Sequence, residues 1–174
     1  MLSPVDQLLS IVVFPGTMMH EFAHKKFCDW QGVTVRKASY FQFGETAGYI
    51  VHDDPEHISQ VFWISIGPLI INTIFALVLS WLAFRVPLLP GNYLKIFLFW
   101  LAFSAGVGAF PSNQDMGNVL DKSKRQAGFF GYAFYILFYP FFALVYLANM
   151  LRRFGFDYFY ALVLIFAVYY FFYY

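Results

Sequence analysis

Charge is what this sequence has least of. Only 12% of its 174 residues are Asp, Glu, Lys or Arg, against 60% hydrophobic, and the mean hydropathy is +0.60. A soluble globular domain usually carries about twice that charged fraction, so the composition argues against an ordinary water-soluble fold and for a chain that lies in a lipid bilayer. The formal net charge of +1 supplies no basic field and excludes nucleic acid as the expected partner. Cysteine is nearly absent too, and the single Cys28 rules out an internal disulfide. Met1 to Gln7 hold Asp6 and no basic residue, the wrong sign for a cleavable signal peptide, so the first apolar segment is expected to stay in the mature protein.

What is abundant is apolar sequence, in five segments. Leu8–Phe27 is interrupted by Pro15; Val61–Phe84 is uncharged and long enough to span; Tyr93–Phe110 is shorter, with Lys95 near its start. Phe129–Leu151 contains Pro140, which should kink a helix, and Tyr158–Tyr174 is short and strongly aromatic. The expected fold is therefore an α-helical integral membrane protein, one domain over residues 1–174 with about five membrane segments. Between the first two lies a polar stretch, Asp29–Glu56. Val33–Arg36 partly alternates, Tyr40–Phe43 alternates less cleanly, Gly44–Gly48 reads as a turn and Tyr49–Val51 as a second strand, which predicts a small β-hairpin. The loops after the first and third segments hold more Lys and Arg than those after the second and fourth, which favours the former in the cytoplasm.

The charges that do occur inside an apolar run carry the most information. His20-Glu21-Phe22-Ala23-His24 is an HExxH motif. On a helix its two histidines are one turn apart, so both imidazoles project from one face and can grip a single Zn²⁺, while the glutamate sits beside them as a base for water. Ionisable groups inside a membrane segment are costly and usually functional. The bland alternative is a chance polar cluster where a span meets water.

A catalytic zinc needs a third protein ligand and an open position. The candidates are Cys28, Glu45, His52, Asp53, Asp54, Glu56, His57 and Asp115. Cys28 is one turn beyond His24, but three ligands on consecutive turns of a straight helix converge poorly on a tetrahedral ion. His52 and His57 flank an acidic turn and read as solvated. Asp115 is favoured by topology: the second segment crosses away, the third crosses back, and Asp115 follows it by five residues, returning to the side of His24. Its alternative role is a helix N-cap.

On these residues the chain resembles the site-2 protease family of intramembrane zinc metalloproteases. Gly16 through His24 is similar to the family's first motif. Gly67-Pro68-Leu69-Ile70-Ile71-Asn72 resembles its Gly-Pro-x-x-x-Asn element, and Pro111 through Gly117 its Asn-Pro…Asp-Gly region, with Met116 where the family has glycine. Order and spacing agree over about residues 8–120, the family's three-helix catalytic core. The resemblance implies a zinc endopeptidase acting on membrane-spanning or membrane-proximal proteins. It implies His20, His24 and Asp115 as metal ligands and Glu21 as general base. Asn72 would donate to substrate or to the developing oxyanion, unless it simply bridges two helices. The hairpin edge Tyr49-Ile50-Val51 would pair with an extended substrate. The expected location is a multi-pass membrane protein with its active site towards the cytoplasm. The rival readings are a membrane protein that keeps the zinc site and binds clients without cutting them, and a metal-handling membrane protein, for which acidic and His residues inside the spans are too few.

Overall fold

The structure, a computed structural model, describes residues 9–42, 48–87, 93–125 and 129–174. Those residues are mostly helical with one small sheet. In chain order the elements are α1 (Phe14–Trp30), β1 (Val35–Ser39), β2 (Tyr49–His52), α2 (Ile58–Arg85), α3 (Tyr93–Val107), α4 (Asn113–Arg125), α5 (Phe129–Arg152) and α6 (Phe156–Tyr173). The five apolar segments thus correspond to α1, α2, α3, α5 and α6. Two helices, α2 and α6, are long and apolar enough to cross a membrane. They differ in their surroundings. Half of the most apolar stretch of α2 is buried, whereas α6 turns nearly all of its own outward.

Helix α2 is the centre of the packing and contacts α1, α3, α4 and α6. It contains Pro68, which a helix interior tolerates only at a cost of about 3 kcal/mol or more. One core joins Val61, Phe62 and Ile66 of α2 to Met116 and Val119 of α4 and to Phe142 and Val145 of α5. Helix α4 is the sequence element that a count of apolar segments overlooks. It is amphipathic: Met116 and Val119 are wholly buried, while Gln114, Asn118, Asp121, Lys122 and Arg125 recur at helical spacing on a polar cleft-facing side.

The end of α1 is fixed by Gly32, whose positive φ of 70° permits a Schellman closure, with Val33 N–H donating to the Cys28 carbonyl at 2.9 Å and Gly32 N–H to Asp29 at 3.3 Å. Val33 then packs on Phe27, Cys28 and Ile64. Cys28 is therefore a small buried apolar residue in this fold. At its start, α1 is broken. Residues 9–12 are helical, Val13 is a turn and Pro15 opens the next helix. Side chains bond the carbonyls at the break: Trp100 Nε1–H donates to Val12 at 2.8 Å and Ser104 Oγ–H to Val13 at 2.8 Å, a carbonyl that also accepts from the Gly16 and Thr17 N–H groups. Gly16 N–H donates in turn to Ser104 Oγ at 2.7 Å.

The hairpin forms as expected, with β1 and β2 antiparallel and Ser39 opposite Tyr49. Its first strand differs from the reading above. Residues 40–42 are not in a strand; Val35–Ser39 is, overlapping the alternating Val33–Arg36 stretch, with an irregularity between Val35 and Lys37 that breaks the strict alternation by which a strand is recognised. Residues 43–47, which hold most of the expected turn and Glu45, lie outside the described residues.

Two glycines make a paired test of this packing. A Cβ on Gly16 would lie 1.8 Å from the Ser104 carbonyl oxygen, whereas one on Gly117 would meet nothing within 4 Å. Gly16→Ala should lower stability by about 1–3 kcal/mol, and Gly117→Ala, in the interior of α4, should raise it by about 0.5–1 kcal/mol. Thermal unfolding in detergent reads both signs, and equal effects would contradict the close approach of α1 and α3.

Candidate metal centre

The site begins with α1. Helical spacing stacks His20 and His24 on one face, and their rings meet nearly edge to face at a centroid distance of 4.8 Å. Each ring is oriented from behind. His20 Nδ1 lies 2.8 Å from the Gly108 carbonyl, and His24 Nδ1 lies 2.9 Å from the Ile64 carbonyl. A carbonyl can only accept, so each Nδ1 must be the protonated, donating nitrogen. In neutral rings both Nε2 atoms are then lone pairs, and they face one another at 3.1 Å. Neutral imidazoles in these tautomers have no proton to share across that gap. Either a proton on one Nε2 or a metal cation between them resolves the clash, and the spacing suits a metal: two imidazole nitrogens on a tetrahedral zinc are about 3.3 Å apart, given bonds of about 2.0–2.1 Å.

The third donor arrives on α4. Asp115 Oδ1 lies 3.5 Å from His24 Nε2, and the ligand atoms of His20, His24 and Asp115 all fall within 4.8 Å of one another. The two carboxylate oxygens divide their work. Oδ2 accepts from the Ser112 N–H at 2.7 Å and from the Ser112 hydroxyl at 2.7 Å, while the Asp115 N–H donates back to Ser112 Oγ at 3.1 Å. This is a capping box with Ser112 as the N-cap and Asp115 at its third position, so Asp115 is not itself the cap. Oδ1 is left to point at the histidines. Burial alone would raise the Asp115 carboxyl. Hydrogen bonding and positive charge at His24, then charge at His20 and the Ser112 hydrogen bond, outweigh it and hold the group at about 2. Any cation on the imidazole pair therefore faces a carboxylate. From α2, Ser65 Oγ–H fixes the Asp115 main-chain carbonyl at 3.0 Å.

Glu21, His20, His24 and Asp115 line one cleft of about 880 Å³. Glu21 is 9% exposed, and the hairpin lies directly on it: a Cβ on Gly48 would come within 2.6 Å of Glu21 Cγ. Tyr49 and Ile50 line the cleft as well, whereas Val51 is an exposed residue outside its lining. His52, Asp53 and Asp54 lie at the rim. Asp53 is paired with Arg36, Asp54 with Lys122 at 3.2 Å, and His52 Nδ1 with the Asp53 carbonyl, and none joins the three-ligand group.

Asn72 is not brought to the cleft. It is fully buried, and its amide donates to the Gly16 carbonyl at 3.1 Å, so of the two roles open to it the bridging of α2 to α1 is the one its contact serves. Four contributors escaped sequence reading. Ser112 carried a readable signal, the S-x-x-D spacing of a capping box. Gly108 and Ile64 act through backbone carbonyls and carried none. Arg152, at the end of α5, lines the cleft and is held through Nε by the buried Asp157 at 3.4 Å, in a region beyond the three helices of the motif match.

Comparison with family models, with curated proteins and with solved structures gives no match to this chain.

The ligand assignment makes a direct prediction. Wild type should retain one divalent cation per chain and Asp115→Ala none. Ser112→Ala should keep the stoichiometry but bind about 10- to 100-fold more weakly, because Oδ2 loses one of its two donors and keeps only the backbone N–H. Elemental analysis and chelator competition measure both, and full retention by Asp115→Ala would put the third ligand elsewhere.

Proposed function

We propose that this chain is a multi-pass membrane endopeptidase that uses one zinc ion to hydrolyse peptide bonds of membrane-spanning or membrane-proximal proteins, as the site-2 protease family does. The observation that carries this reading is the convergence of two imidazole Nε2 atoms and one carboxylate oxygen in a cleft that also holds the buried Glu21. A pure storage site has no use for that glutamate. The donor set of two imidazoles and one carboxylate, with a fourth position open to the cleft, suits catalytic zinc. When bound there, zinc supplies Lewis acidity to water and to the scissile carbonyl.

The protein's own residues do the rest. The Glu21 carboxylate takes a proton from the attacking water and returns it to the leaving amide nitrogen. The polar face of α4 wets one wall of the cleft, so water reaches Glu21 although α1 and α2 are apolar. Helical substrates hide their amides, so the scissile segment must be extended. The outer edge of β2 has no strand beside it among the described residues, and Tyr49 and Ile50 of that strand face the cleft. Pairing there satisfies substrate backbone groups that have no water partners in a membrane. Large apolar side chains exposed on α2, α3, α5 and α6, such as Trp81, Phe97, Leu144 and Phe166, are the surface that lipid would cover. The cationic loops on the side of the site favour the cytoplasmic face.

Glu21→Gln should keep its zinc and lose cleavage of a membrane substrate by about 10²- to 10⁴-fold; equal cleavage would reject Glu21 as the base. Ile50→Pro removes an edge N–H and should abolish cleavage of membrane substrates while zinc content is unchanged. Unaffected cleavage would exclude strand pairing at β2.

A further inference from the structure

The Gly67-Pro68 step lies in the middle of α2, one turn beyond the residues that touch the metal centre. Proline is an expensive residue in a helix interior, because it has no N–H for the carbonyl four residues earlier. Four residues before Pro68 is Ile64. Its carbonyl is the atom that accepts from His24 Nδ1 at 2.9 Å. Ile64 is 4% exposed and Pro68 is among the fully buried side chains, so no bulk water reaches this carbonyl to replace a missing donor. The partner of His20 is freed differently: Gly108 follows the last residue of α3, and carbonyls at a helix end have no intrahelical donor. Each histidine thus binds a carbonyl that the helix ladder does not claim.

We propose that Pro68 is a positioning residue of the metal centre: by withholding an N–H from the Ile64 carbonyl, it leaves that carbonyl to hold His24 Nδ1–H and to aim His24 Nε2 at the ion. The proposal rests on the metal reading above. It gives the proline a task that packing alone does not. With an N–H at position 68, the Ile64 carbonyl has a donor within its own helix, and His24 must compete for it. The imidazole then gains access to its other tautomer, in which Nε2 carries the proton and cannot bind a metal.

The test compares two helix-internal prolines, Pro68 in α2 and Pro140 in α5. Zinc affinity is measured by chelator competition on the purified full chain in detergent. Wild type, Pro68→Ala, Pro140→Ala and a chain with pipecolic acid at 68, which also lacks an N–H, are compared. Pro68→Ala should bind zinc about 10- to 100-fold more weakly, the usual cost of losing a partner behind a ligating histidine. Pro140→Ala and the pipecolic acid chain should match wild type. The metal-free Pro68→Ala chain should unfold at the wild-type temperature or higher, since it regains a helix hydrogen bond; a merely structural proline would lower stability and affinity together. Wild-type affinity in Pro68→Ala overturns the proposal and leaves the metal reading intact, whereas a wild-type chain that binds no zinc overturns both. The imidazole ¹⁵N spectrum of zinc-loaded wild type needs no variant: it should show His24 protonated at Nδ1, and protonation at Nε2 would overturn the proposal.

Discussion

Two imidazole nitrogens face one another 3.1 Å apart, and the rest of the site is arranged around that confrontation. Lone pairs do not meet at this distance by preference. In the neutral rings they must, because each ring gives its one proton to a carbonyl behind it. The carbonyls come from two other helices, so α2 and the end of α3 set the direction in which α1 presents its nitrogens. The carboxylate that completes the set is held in the same manner, with one oxygen tied down by Ser112 and the other left to the centre. Ligand and support are separate atoms of one side chain in all three cases. That separation is what makes a metal site selective in geometry and not merely rich in donors.

The apolar composition explains how such a site can be built in so small a chain. Polar groups are few, and most of those inside the helices have specified work. Ser104 and Trp100 close the break in α1, Asn72 ties Gly16 to α2, and Ser65 holds the Asp115 backbone. In surroundings that offer little water, each of these bonds is costly to leave unmade. The break at Val13 to Gly16 is thereby tied to α2 and α3 just before the motif begins. Helix α4 supplies the opposite property. Its buried Met116 and Val119 anchor it, and its polar face lines the cleft that holds the glutamate.

Much of the fold was readable from pattern. Apolar runs located α1, α2, α3, α5 and α6, and the spacing within His20–His24 placed both imidazoles on one face. Chain topology alone returned Asp115 to their side. The hairpin was readable in existence but not in register, because the irregularity near Val35 disturbs the alternation that marks a strand. Helix α4 was missed as an element, since its apolar positions are too few to stand out among much longer apolar runs. The orienting carbonyls of Ile64 and Gly108 were beyond sequence reading. Every residue carries the same carbonyl, and which one is free depends on where a helix ends or where a proline interrupts it. The Gly67-Pro68 pair was visible as a motif, but its consequence for His24 appears only when α1 and α2 are seen in contact.

The account stands or falls on three side chains meeting at one ion. X-ray absorption at the zinc edge of the purified, zinc-loaded chain measures this most directly. It should show two imidazole nitrogens and one or two oxygens at about 2.0–2.2 Å, with no sulfur in the first shell. A sulfur at about 2.3 Å would bring Cys28 into the site, and a shell of oxygens without imidazole would remove His20 and His24 from it; either result contradicts the account.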